Sequence, residues 1–349
     1  MKKFLSMVLA ALMLTASLSA CGESGGSGGS SGGDSGAPAD DGKVYTLQAA
    51  YTVAEDPNSQ HTIKFNTFKE LVEEKTDGHV IIEVHPGGEL GSEQEYIEML
   101  QNGELAFTNV ASSIVSGFTD AITFADCPFL FRDQAQVIEF VHSDVCAARL
   151  AQLEDIGLIG LGLSSVGDRN FLTVANKPIT CLADMKGLKL RTMQTAIQVE
   201  AVGLLGAQAT PLSYNECYQS MQTNVIDGME NEVDTYLAMR FYEVAPNYTK
   251  AGWLQLMHAF LASKEIMEGL PEEYQQIILE AAAEANDVST EKGMEYAKGA
   301  AADKLAEVGA NVIEIADNSE FKQALIDGGL FEKYNDLIGQ DVIDWVDQH

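Results

Sequence analysis

The sequence predicts an α/β protein of two domains. Three observations carry this reading. Residues 43 to 110 run strand–helix–strand–helix–strand, the order of an α/β unit with a largely parallel sheet. A second series of short strands and helices fills 157 to 229. About 300 residues follow a low-complexity amino-terminal stretch, more than one hydrophobic core usually supports.

The elements follow in order. Lys43–Tyr51 alternates and reads as the first strand. Asn58 or Ser59 caps a helix with Phe65, Phe68, Leu71 and Val72 on one face, ending near Asp77-Gly78. Val80–Val84 is a strand closed by Pro86-Gly87-Gly88. A helix from Ser92 to Gln101 turns Tyr96, Met99 and Leu100 inward, and Leu105–Val110 is strand-like. Residues 133–155 read as helix in two pieces, and 157–163 and 171–175 as strands. In Leu188–Arg191, Leu188 and Leu190 point one way and Lys189 and Arg191 the other. Helices over 195–205 and 213–223 alternate with short strands at 207–210 and 226–229. Pro271 opens a helix, with Glu272 and Glu273 complementing its dipole. The spacing permits one helix of about 35 residues, well beyond common globular length, or two broken near Gly293 or Gly299. A strand at 311–315 and three short helices close the chain.

The amino terminus predicts an exported chain. Met1-Lys2-Lys3 precedes an apolar run from Phe4 to Ala16, then Leu18-Ser19-Ala20-Cys21. That is the layout of a secretory signal over residues 1–20, and the last four residues resemble a bacterial lipobox with Cys21 as the lipidated residue. Residues 21–42 hold Gly, Ser, Asp, Ala and Pro with no large apolar side chain, the composition of a flexible tether.

Composition narrows the function. The chain carries 21 Lys and Arg against 52 Asp and Glu, a formal net charge of −31. Nucleic-acid binding needs a basic face and is excluded on this balance. Cys127, Cys146, Cys181 and Cys217 form no Cys-x-x-Cys, and the six histidines form no His-x-x-x-His pair. No metal or cofactor is expected, the thiols read as mostly buried and unpaired, and the histidines as surface or packing residues. No signature of a catalytic serine or cysteine is present. Against this acidic background, two of only five arginines, Arg169 and Arg191, fall beside predicted strands. A guanidinium forks a carboxylate with parallel donors, and ligands of open α/β sheets collect at the carboxyl ends of strands. A socket for a small organic anion follows; an interdomain salt bridge is the competing reading of the same residues.

Several runs of residues, in order, resemble one family. They are Glu89-Leu90-Gly91, Pro128-Phe129-Leu130-Phe131, Lys186-Gly187-Leu188-Lys189-Leu190-Arg191, Gly206-Ala207-Gln208-Ala209-Thr210-Pro211, Glu216-Cys217-Tyr218, Asp227-Gly228-Met229-Glu230-Asn231 and Phe241-Tyr242-Glu243-Val244. Together they resemble the DctP-type solute-binding proteins of tripartite ATP-independent periplasmic (TRAP) transporters, from about Val44 to Tyr334. The resemblance implies a periplasmic-binding-protein-like fold: two α/β domains with mixed sheets, an interdomain cleft and a long helix spanning both. Domain I would hold 43–166 with about 257–296, and domain II 167–256 with about 297–349.

It also implies a receptor, not an enzyme, that delivers a small organic acid to TRAP permease subunits at the outer face of the membrane, as a monomer. Residue by residue, Arg191 matches the arginine that forks the ligand carboxylate, Arg169 a second ligand-facing arginine, and Asn231 the asparagine of the Glu-Asn motif. Tyr214 falls where an aromatic stacks on the ligand, and Ser112 and Ser113 where variable polar contacts arise. Two departures stand out. Glu232 occupies the position of the family's usual proline after Glu-Asn, and Ala106–Ala111 lacks the acid some sialic-acid receptors carry. Uronates, dicarboxylates and keto or aromatic acids stay open as ligands. An exported enzyme on an acidic substrate, or a sensor for a signalling kinase, are the alternatives.

Overall fold

The computed structural model describes residues 42–349. The signal segment, Cys21 and the tether lie outside the described residues.

Two mixed sheets organise the chain. The first contains β1 (Tyr45–Ala50), β2 (Val80–His85), β3 (Phe107–Ala111), β4 (Leu158–Ser165) and β10 (Met257–Ser263) in the order β2-β1-β3-β10-β4. The second contains β5 (Arg169–Thr173), β6 (Lys189–Thr192), β7 (Gln208–Pro211), β8 (Gly228–Asn231), β9 (Asn247–Leu254) and β11 (Asn311–Glu314) in the order β11-β9-β5-β8-β6-β7. β1 runs parallel to β2 and β3, as the strand–helix–strand order predicts. β10 then enters antiparallel to both β3 and β4, so the sheet is mixed rather than largely parallel. In the second sheet β5 is antiparallel to β8 and β9, while β6 is parallel to β7 and β8.

The long strands β9 and β10 are absent from the sequence reading. Every residue of β10 is buried, so it shows none of the polar–apolar alternation that marks a half-exposed strand. The antiparallel placement of β10 rests on pairings across sequence distances that periodicity does not carry.

Local chemistry sets the helices that approach both sheets. Ser59 caps the Gln60–Lys75 helix by accepting from the His61 amide. Ser92 and Glu95 form a reciprocal capping box at the start of the Glu93–Gln101 helix. The long helix spans Glu272–Lys298, 27 residues, and ends at Gly299, where a second helix, Ala300–Glu307, begins. It lies along the Gln60–Lys75 helix and β4 of the first sheet and touches the Val233–Ala238 helix that follows β8 of the second. The last helix, Gln340–Gln348, packs on 134–151: Trp345 meets Phe140 edge-on at 5.1 Å, and Arg149 pairs with Asp341. Cys127, Cys146 and Cys217 are buried and Cys181 is half-buried; none of the four is disulfide-bonded.

Candidate functional site

Arg191 is the third residue of β6. Its side chain is 3% exposed, and its Nε donates to the Leu212 carbonyl at 3.1 Å. Among the described residues it has no carboxylate within ion-pair distance. A buried guanidinium without a counter-ion is costly, and this one lines a narrow cavity of about 20 Å³ between the two sheets.

Arg169, first residue of β5, lines the same cavity and is 4% exposed. Its fork is already engaged. Nε donates to Glu230 Oε2 at 2.5 Å, Nη2 to Glu230 Oε1 at 2.9 Å and to the Glu230 carbonyl at 3.2 Å, and Nη1 to Glu232 Oε2. Burial alone would lower the Arg169 pKa, but Glu230 and Glu232 hold it above its ordinary value. The register explains the pairing: Asn170 faces Asn231 across β5 and β8, which sets Arg169 opposite residue 232.

The other expected residues divide. Tyr214 lines the cavity, and its ring meets Phe241 edge-on at 5.9 Å. Burial, then Glu232, pushes its hydroxyl pKa well up, so it stays protonated. Asn231 stands behind Tyr214: its Nδ2 donates to the Tyr214 hydroxyl at 3.4 Å, and its Oδ1 accepts from the Glu232 amide at 3.0 Å. Ser112 and Ser113 turn away. Their hydroxyls donate to buried Asp126 at 2.9 and 2.5 Å, joined by Ser116 at 3.0 Å, and the cavity wall at this point is Ala111. Burial pushes Asp126 up to about 6 against the pull of those three hydroxyls.

The first sheet contributes residues the sequence reading did not single out. Glu93 sits in the first turn of its capped helix, on the cavity wall. Burial pushes its carboxyl up to about 7, opposed by Arg191, a backbone hydrogen bond from Ala111, Arg169 and the Thr52 hydroxyl at 3.4 Å. Its signal was available: an acid one residue after a helix cap, directly behind Glu89-Leu90-Gly91.

Two of the six histidines, expected only in surface or packing roles, lie at the site. His61 and His258 both line the cavity, with ring centroids 4.7 Å apart. Asn109 Nδ2 donates to Nδ1 of each, at 3.2 and 3.3 Å, while its Oδ1 accepts from buried Lys64 Nζ at 2.8 Å. With Nδ1 as acceptor, each ring is neutral and carries its proton on Nε2. Burial, then Lys64 and Arg169, pushes His61 down to about 3, and burial depresses His258 as well. His61 Nε2 is buried without a protein partner, a donor on a residue that shares the cavity lining with the Glu93 and Glu232 carboxyls.

A larger pocket of about 410 Å³ lies between the 293–305 helices and the second sheet. Asp168, Glu232, Asp234 and Glu314 line it against two lysines, Lys250, paired with Glu314 at 2.8 Å, and Lys298. That is a poor reception for an anion despite its size. Chemistry, not volume, selects the smaller cavity with Arg191.

A family model, DctP, bacterial extracellular solute-binding protein, family 7, matches residues 51–327. The chain belongs to this family. A solute-binding protein of Sulfitobacter sp. (strain NAS-14.1) is 36% identical to it over 234 residues, 66% of this chain and 70% of that one. A solved TRAP periplasmic solute-binding protein from Sulfitobacter sp. NAS-14.1, with bound β-D-galacturonate, superposes with a TM-score of 0.80 at 27% identity, covering 87% of this chain and 100% of the other. The sugar acid binding protein DctPAm from Advenella mimigardefordensis strain DPN7T, in complex with galactonate, gives a TM-score of 0.83 at 26% identity over 88% and 99% of the two chains. As a DctP-family member the protein is an extracellular solute-binding protein with the fold of TRAP solute receptors. Among the described residues no cluster suited to a metal ion is present, and no helix is long and apolar enough to cross a membrane.

Proposed function

We propose that the protein binds a hydroxylated sugar acid, a uronate or aldonate, between its two sheets and hands it to a TRAP permease. The observation that carries this reading is Arg191: a buried guanidinium whose terminal nitrogens have no acid partner among the described residues. It takes the ligand carboxylate by two parallel charge-assisted bonds. The cavity also offers hydroxyl partners: on the opposite wall Glu93, the His61 Nε2 donor and the Thr52 hydroxyl, and beside the arginines the Glu232 carboxylate as an acceptor. The similar proteins solved with galacturonate and galactonate support the same ligand class.

In this reading residues 43–166 with about 257–296 form one lobe and 167–256 with about 297–349 the other. The acid enters between open lobes and stabilises the closed arrangement by its differential affinity for it. Arg191 and Arg169 act from one lobe, Glu93, His61 and Thr52 from the other. Asn231 positions the ring of Tyr214 and the backbone of Glu232. Ser112 and Ser113 act indirectly, by holding Asp126 behind Ala111. Cys21, lipidated, tethers a monomeric receptor to the outer face of the membrane, beside the permease subunits; Cys21→Ala then releases the protein into the soluble fraction.

Isothermal titration calorimetry with D-galacturonate tests the assignment of Arg191. Arg191→Ala loses roughly 2–5 kcal/mol, at least about 30-fold in Kd, and Arg191→Lys is also severely weakened because a point charge does not fork. Either variant binding within about twofold of wild type defeats the assignment.

A further inference from the structure

Glu232 is the residue in the site that the family pattern does not supply. It follows β8 directly, and its carboxylate lies on Arg169 Nη1, 4% of the side chain being exposed. Glu230, two residues earlier and on the same face of the strand, already holds Arg169 through Nε and Nη2. Arg169 therefore faces two carboxylates. Arg191 faces none, and Glu93 stands across the cavity from it. The two cations and the Glu230–Glu232 pair balance in total, but the positive charge open to a ligand is concentrated at one guanidinium.

We propose that Glu232 is a specificity-determining residue that restricts the ligand to a single carboxylate. A monoanion places its carboxylate on Arg191 and donates a tail hydroxyl to Glu232. A diacid of the same length brings its second carboxylate against Glu232, with Arg169 already saturated. Like charges meeting in a closed, water-poor cavity cost several kcal/mol, and a repulsive element of this kind separates ligands that share every other contact. The proposal rests on the sugar-acid reading above and narrows it to monocarboxylates.

The test is calorimetry on the full receptor with D-galacturonate, D-galactonate and galactarate, the diacid of the same carbon chain. Wild type binds galactarate at least about 100-fold more weakly than galacturonate. Glu232→Gln removes the charge and keeps the shape, narrowing that ratio by about tenfold or more, whereas Glu232→Asp keeps the wild-type preference. Wild type binding galactarate within about threefold of galacturonate overturns the proposal and leaves the sugar-acid reading standing. An unchanged ratio in a folded Glu232→Gln protein, shown by its circular dichroism, overturns it too. Where that variant does not fold, the wild-type ratio decides alone. A receptor that takes none of the three acids, or only a short dicarboxylate such as succinate, removes the sugar-acid reading and this proposal together.

Discussion

At the scale of single residues, the site is a set of buried charges whose partners decide what each does. Arg169 and Arg191 look equivalent in the sequence, yet one is clamped by Glu230 and Glu232 and the other meets only a backbone carbonyl. Glu93 shows how environment sets a protonation state. Burial pushes it up to about 7, near the pH at which the receptor works. Below that value it is neutral and hydrogen-bonds a ligand hydroxyl. Above it the carboxylate competes for Arg191 and repels the ligand's own charge. Galacturonate affinity therefore falls as pH rises from about 6 to about 8, and Glu93→Gln flattens the profile. The linkage has a definite sign. The folded value lies above the unfolded one, so the stability Glu93 supplies is complete at low pH and is lost as pH climbs from about 4.5 to about 7. Urea titrations at several pH values read this as a slope present in wild type and reduced in Glu93→Gln; a steeper slope in the variant contradicts it.

At the scale of elements, β8 is the structural support of the site. Gly228 lies where β8 meets both β5 and β6, opposite Thr173 and beside Leu190. A Cβ built there would stand 2.1 Å from the Leu172 carbonyl oxygen of β5. Gly228→Ala forces the two strands apart and costs about 1–3 kcal/mol, the range of overpacked cores, visible as a lower urea midpoint. Because Arg169 and Glu230 sit on those same strands, galacturonate affinity drops with it. Unchanged stability would show that the strands yield without strain. The helix beginning at Glu93 is positioned just as locally, by the Ser92–Glu95 capping box. The acid is thus set at the mouth of the cavity by its own helix cap.

At the scale of the molecule, polar links join the two sides at several points, among them Gln134 Nε2 donating to Gln255 Oε1 at 2.8 Å and the Arg149–Asp341 pair. The Gln60 amide donates to Asp234 Oδ2 at 3.0 Å, and Asn215 Nδ2 to the Gly91 carbonyl at 3.4 Å. Asp234 is pushed up to about 7 by burial and by neighbouring Glu232. A ligand held from both sides adds to these links. At 100 times its Kd, galacturonate then adds about 2.7 kcal/mol of stability, a rise in Tm of roughly 4 °C for a chain of this size. Thermal-shift scans check it: at the same galacturonate concentration Arg191→Ala should show no more than about a third of this rise, and an equal rise in the variant would place the acid elsewhere.

Residue order alone determined a good deal here. The alternating β1, β2 and β3 segments, the helices capped by Ser59 and Ser92, the helix opening after Pro271 and the placing of Arg191 on a short strand are all legible, because each depends on neighbours within a few positions. The sugar-acid contacts are less so. Tertiary structure alone decided that β10 threads antiparallel through the first sheet, and that the long helix stops at Gly299 rather than running on. It also decided that Arg169 is neutralised by Glu230 and Glu232, that Ser112 and Ser113 serve Asp126, and that His61 lines the cavity with its buried Nε2 left without a protein partner. The physical reason is common to all of these. A charge or hydroxyl takes its role from whichever group the fold brings within about 3 Å, and Arg169 and Glu230 are 61 positions apart. Periodicity reports which face of an element is buried, but not what waits on the other side.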